Sequence, residues 1–335
     1  MVLTDVIVPI FFIIFLGILL RGIGRVEPRP FARAQLYVLS PALAFMALTR
    51  AEMETILVLR VLLFVAILAG IILGVSQGVG FLMKGKRIER QAFSMASVFM
   101  NSGFYGIPVC LLAFGDIGLV YATTHMVTNA MLQATLGIFL VSAGRLRASE
   151  AFLNIFRIPM IYAIVSARLL AHFDLLPSEP FMKMISLIGQ AAIPIGLLLL
   201  GMQLHVIMSY FAARRMAPAD TAALAGGDSR GGAGVTGDDT EREEREVRRD
   251  IIGGVLSPVL RLGGGFVGAL LILRFFDFDP LLGKILIVQS AMPTAVHAVV
   301  YATEFDCRPR MVAVAILSST LLSILSVTLI LGYLG

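Results

Sequence analysis

The chain has no tryptophan, two cysteines and four histidines in 335 residues, and charged side chains make up only 15% of it. Each scarcity removes a class of function. Cys110 and Cys307 lie in or beside apolar runs and cannot form a disulfide framework or a zinc site of paired CxxC spacing. Redox and metal chemistry drop out, and no cofactor is expected. The sequence carries no HExxH and no close pair of mid-membrane aspartates on adjoining helices, so an intramembrane enzyme is a weak reading. Gly22 with Gly24, and Gly263-Gly264-Gly265, lack the strand–turn–helix setting of a nucleotide loop and read as helix-packing glycines.

What is abundant is apolar surface. The chain is 58% hydrophobic with a mean hydropathy of +0.90, far from the roughly 45–50% apolar and 25% charged balance of a soluble domain. Water could not solvate it. A pI near 9.5 raises nucleic acid as a partner, but the bases sit in short loops between apolar runs rather than on one soluble face. The expected surroundings are a lipid bilayer, with no nucleic acid.

Apolar stretches of spanning length, about 20 residues each, fall at 5–22, 31–49, 61–83, 92–113, 118–143, 155–171, 182–205, 257–276, 281–303 and 310–332. The first run, Val6 to Leu20, is followed rather than preceded by bases, Arg21 and Arg25, so it reads as a retained helix and not a signal peptide. With loops assigned alternately and the long loop set aside, Lys and Arg number 13 on one side against 6 on the other. The positive-inside rule then places both termini outside and the 212–250 loop in the cytoplasm, in a multi-pass protein of the plasma (inner) membrane. Ala212 to Asp250 opens with a Gly/Ala/Asp/Ser stretch expected to be disordered. It ends in Thr240 to Asp250, acids early and bases late, a helix pattern with Asp239 or Thr240 as cap. That helix is either a solvated lead into span eight or a regulatory or partner site.

Folding the ten spans into two sets of five aligns Ser40-Pro41 in span two with Ile193-Pro194 in span seven, and span four with span nine. Span four reads Asn101-Ser-Gly103-Phe-Tyr-Gly106-Ile-Pro108 and span nine reads Gln289-Ser-Ala-Met-Pro293-Thr294. Proline removes a backbone donor and glycine weakens a helix, so neither span should be continuous. The freed backbone groups must then be met by protein, water or ligand, because lipid cannot meet them. An odd number of spans per repeat inverts the second half. The fold class expected is an all-α membrane protein of about ten transmembrane helices, built as two inverted five-helix repeats, 1–150 and 151–335, with broken spans four and nine crossing. Matched interruptions of this kind point to a midplane site. Half-helices starting near Pro108 and Pro293 would aim positive ends at the crossing, a geometry that favours an anion.

Asn101-x-Gly103-x-x-Gly106-x-Pro108, with Phe114-Gly115-Asp116, resembles the auxin efflux carrier family, which includes plant PIN-type carriers and bacterial malate or malonate permease-like proteins. The likeness runs on through Asn154-x-x-Arg157-x-Pro159, Gly189 to Met202, and Met292-Pro293 to Glu304-Phe305-Asp306. The resemblance implies spans one, two, six and seven as a scaffold and homodimer contact, the other six as a moving, elevator-like transport domain, and a carboxylate held at the crossing prolines. Two features depart from the family pattern: the long loop follows span seven, and Thr294 stands where plant carriers are associated with glutamine. Auxin itself is not implied.

Individual polar residues carry two readings each. Asn101 can meet a carboxylate or cap freed backbone. His125, Asn129 and Gln133 share one face of span five, facing either the broken helices or another helix, with Gln133 matching a PIN-type glutamine. His297, one turn past Pro293, either titrates with substrate or is a satisfied buried histidine. The expected substrate site is therefore Asn101, Gly103, Gly106, Pro108, Asn129, Gln133, Pro293, Thr294 and His297, serving secondary transport, as efflux, of a small carboxylate driven by membrane potential or a proton gradient. A sensor or interaction protein on the same fold is the alternative.

Overall fold

The computed structural model describes residues 3–50, 55–141, 159–215, 237–304 and 307–334. Apolar runs fold as helices because only a helix or a closed barrel satisfies its backbone without water. The helices are α1 (Leu3–Gly22), α2 (Pro28–Thr49), α3 (Thr55–Leu82), α4 (Arg87–Val98) and α5 (Ile107–Val141), the last entered through a wide turn at Ser102–Gly106. They continue with α6 (Pro159–His172), α7 (Glu179–Arg215), and α8, which runs from Gly237–Pro258 through Val259–Gly264 into Gly265–Leu273. Last come α9 (Pro280–Ser290), α10 (His297–Glu304) and α11 (Pro309–Leu334). Among the described residues there is no strand, only one isolated bridge.

Among the described residues seven helices are long and apolar enough to cross a membrane: α1, α2, α3, α5 counted with its entry turn, α7, α8 and α11. The shortfall from ten has a physical cause. Spans four and nine are broken into shorter pieces, as their sequences foretell, and α6 is described only from Pro159 onward. The second half of span four runs straight into α5 and turns back at Gly115, whose φ of 68° and ψ of −156° only glycine adopts without strain. Gly118 lies just beyond the bend, where an added Cβ would come 2.3 Å from the Cys110 carbonyl oxygen.

The expected repeat boundary at residue 150, and residues 216–236 of the long loop, lie outside the described residues. The charged end of that loop is helical as expected, but the helix starts at Gly237, ahead of the caps expected at Asp239 or Thr240.

Packing sorts the helices into two groups. In one, α1 lies along α7 and α2 lies against α6 and α7. The α1–α7 contact depends on glycine at both crossing points: a Cβ at Gly17 would stand 2.1 Å from the Leu198 carbonyl oxygen, and one at Gly201 would stand 1.9 Å from that of Ile14. In the other group α3 packs on α4, α5 and the end of α8, α8 packs along α11, and α9 packs on α5. Outward positions are apolar along the helices, Phe12, Leu59, Leu187 and Leu325 among them, as a protein in lipid requires. This is a multi-pass membrane protein.

Candidate functional site

The two interruptions lie side by side. After α4 ends at Val98, Phe99 is extended (φ −81°, ψ 110°) and Asn101 leaves helical geometry (φ −83°, ψ 60°) before the wide turn begins. After α9 ends at Ser290, the chain stays non-helical until His297. Met100 pairs with Thr294 in antiparallel sense: the Asn101 N–H donates to the Pro293 carbonyl at 2.8 Å, and the Ala295 N–H donates to the Phe99 carbonyl at 2.8 Å. Each break thus supplies the partners the other has lost, which is how non-helical backbone is tolerated at membrane depth.

Side chains complete the bonding. Thr294 Oγ1 donates to the Ala96 carbonyl at 2.8 Å, and its N–H donates to Ser319 Oγ at 3.0 Å. Asn129 Nδ2 reaches the Met100 carbonyl at 3.2 Å and Ser102 Oγ at 2.8 Å, and Gln133 Nε2 reaches the same carbonyl at 3.0 Å. Gln133 Oε1 meets His297 Nε2, so one amide joins the first break to the start of α10.

Behind the crossing lies Arg261, fully buried. Its guanidinium donates to the Ser97 carbonyl at 2.8 Å, the Val98 carbonyl at 2.9 Å and the Ser290 carbonyl. Those carbonyls are the last of α4 and of α9, the negative ends of two helix dipoles. One cation therefore clamps both C-terminal ends, and the N-terminal, positive ends of α5 and α10 are left on the other side of the break. Gly265 makes room for this: a Cβ there would lie 2.0 Å from the Ser290 carbonyl oxygen.

A pocket of about 140 Å³ opens at those positive ends. Asn101, Gly103, Asn129, Gln133 and His297 line it, together with Ser102 and, from α2, Gln35 and Ser40. Asn101 is 4% exposed, and its amide nitrogen has no partner among the described residues. Gln35 donates to Ser40 Oγ at 3.2 Å and to the Ala192 carbonyl at 3.0 Å, which leaves its own buried oxygen unpartnered. The first-turn N–H groups of the helix that starts at Ser102 have no intrahelical acceptor, and Ser102, Gly103 and Phe104 line the pocket. The chemistry on offer is several N–H donors and a positive helix end, with no carboxylate in the lining among the described residues.

The structure therefore brings together five of the nine expected site residues. The other four belong to the crossing but lie outside the pocket lining. Pro293 and Thr294 hold the second break. Gly106 faces Gln289, whose Oε1 lies 2.3 Å from where its Cβ would be, so this glycine makes space for a side chain. Pro108 corrects the expected start of the half-helix: the break is at Phe99–Asn101, and Pro108 sits just after the point where the wide turn, in which the Gly106 N–H donates to the Asn101 carbonyl at 3.0 Å, passes into α5. Pro293 likewise lies within its break rather than at the head of α10. His125 is buried away from the pocket, with neither ring nitrogen partnered among the described residues. Gln35 and Arg261 are contributors that pattern reading passes over. A lone arginine inside a glycine-rich apolar run was the available signal for Arg261.

The family model described as membrane transport protein matches residues 2–154 and 145–331. A relative from Methanothermobacter thermautotrophicus (strain Delta H), named an uncharacterized transporter, is 23% identical over 335 residues, covering 97% of this chain and 96% of its own length.

Proposed function

Since the chain belongs to the membrane transport protein family, the auxin efflux carrier family, a family of transporters and not of enzymes, we propose that it is a secondary carrier of small organic anions. The observation that carries this reading is the Asn101 amide, buried at the positive end of a half-helix with a donor that no protein group takes up. An unpaired buried donor is costly unless a ligand pairs with it, and a carboxylate is the acceptor that also gains from the helix ends. Arg261 supports the same sign of charge, because it covers the negative helix ends that would repel an anion.

The pocket draws its lining from both packing groups, with Gln35 and Ser40 among its α2 residues and the rest from the first break, the wide turn, α5 and α10. A carrier that slides the second group against α1, α2, α6 and α7 would open such a pocket to each side in turn, by elevator-like alternating access. We place the scaffold group at a homodimer contact, the termini outside, the 212–250 loop in the cytoplasm and the direction as efflux across the inner membrane.

Reconstituted into liposomes and offered labelled mono- and dicarboxylates beside their uncharged amides, the protein should move at least one carboxylate at least tenfold faster than its amide. Equal flux of acid and amide would remove charge from the account, and flux of neither would favour a sensor or interaction role.

A further inference from the structure

A second and larger pocket, about 270 Å³, lies at the far end of the α3–α4–α8–α11 group, lined by Met83, Phe93, Ile252 and Met311 with Arg90 and Arg249 beside them. It sits where α3 ends and where α4, α11 and the apolar part of α8 begin. This is the face that carries Lys84, Lys86, Arg87 and Arg310, the level at which lipid headgroups meet a protein surface. An apolar wall and guanidinium groups within one pocket describe a site for an amphiphile.

Several of the charges around it are already paired, and Arg90 stands apart from them. Glu89 is buried, and both its oxygens are engaged: Oε1 by Arg308 at 3.1 Å, Oε2 by Arg249 at 3.3 Å and by the Lys86 N–H at 2.8 Å. Arg308 also meets Glu246 at 3.2 Å and Asp250 at 3.5 Å. Glu89 lines the pocket but is already neutralised by two arginines. Arg90 has no carboxylate partner among the described residues. Its guanidinium lies 3.7 Å over the Phe81 ring, a ring that is 61% exposed, and its Nε is buried without an acceptor. Gly80 lets the Arg90 stem lie flat, since a Cβ there would come 2.8 Å from its Cγ. Stacking fixes the guanidinium plane and leaves its edge for an acceptor, the arrangement suited to a phosphate.

We propose that this pocket binds an anionic phospholipid, with the phosphate on Arg90 and an acyl chain along Met83, Phe93, Ile252 and Met311. A lipid bound there would bridge α3, α4, α8 and α11 at the end of the group that carries the crossing.

Native mass spectrometry of the purified full-length protein with phosphatidylglycerol, phosphatidylcholine or inorganic phosphate tests this. Wild type should retain phosphatidylglycerol at least tenfold over phosphatidylcholine. Arg90→Gln should bring that retention down to the phosphatidylcholine level, Arg25→Gln on a distant loop should leave it unchanged, and millimolar inorganic phosphate should not displace the lipid. If Arg90→Gln does not fold, Ile252→Glu, which sets a carboxylate at the apolar mouth, should give the same loss. Selective retention that survives either folded pocket variant overturns the proposal. So does retention without headgroup preference, or complete displacement by phosphate, which would make the site one for a free anion.

Discussion

Arg261→Met is expected to destabilise the protein by about 3–5 kcal/mol and to abolish transport in whatever fraction still inserts. Methionine fills much of the volume but leaves the Ser97, Val98 and Ser290 carbonyls without a donor in a site that excludes water. Each buried acceptor left unmet costs about 1–3 kcal/mol. The loss should also be long-range, because these carbonyls end two helices that meet only through the crossing. With the clamp gone, the negative poles of α4 and α9 face each other uncompensated. Arg261→Lys keeps the charge but not the planar fork that serves three carbonyls at once, so it should recover only part of the stability. Melting of the purified variants reads the first effect and liposome flux the second. A methionine variant that melts like wild type would show that the clamp holds nothing.

Asn101 should behave in the opposite way. Its amide nitrogen bonds to no described protein group, so Asn101→Ala removes no internal hydrogen bond and relieves an unmet buried donor; its melting should match or exceed that of wild type. Transport should fall, because a hydrogen bond to a charged acceptor is worth about 1.5–3 kcal/mol, roughly a ten- to hundredfold change in flux at limiting substrate. Asn101→Asp is nearly isosteric and should abolish flux altogether, since it puts a carboxylate where the account places the substrate's. The order wild type, Ala, Asp in flux, with little spread in melting, separates a binding role from a structural one. A large fall in melting in the alanine variant would assign Asn101 to the packing of the break instead.

The all-helical membrane fold and both interrupted spans were legible in the sequence, because hydropathy, proline and glycine act locally. The exact place of the first break, and where the half-helix after each break begins, were not. Pro108 and Pro293 are the visible helix breakers, yet the chain opens at Phe99–Asn101, where the partner break pairs with it; that partner lies nearly two hundred residues away along the chain. Gly106 read as a breaker for the same reason, whereas its lack of a side chain accommodates Gln289. Arg261 was hidden by its neighbours. Charged Arg248, Arg249 and Asp250 read as a cytoplasmic helix leading into the membrane, which put the start of span eight at residue 257 and Arg261 at a helix start. That helix runs on unbroken from Gly237 to Pro258 and the apolar span reaches back to Arg245, so Arg261 lies well inside it. Glu89 was overlooked because the partners that bury it, Arg249 and Arg308, come from distant parts of the chain. Nothing local marks Gln35 either: it reaches the site only because α2 packs against α7 beside the crossing.

The central claim is that a carried anion sits in the crossing pocket, and a cysteine at Ala130, which lines it, tests this most directly. Ala130→Cys should react with a small thiol reagent, and a carboxylate that the protein transports should slow that reaction at concentrations near its transport KM, while the matching amide does not. A control cysteine at Leu82, exposed at the end of α3, should react at the same rate with or without substrate. A carboxylate that is carried but leaves labelling at position 130 untouched would contradict the account and send the substrate path elsewhere in the fold.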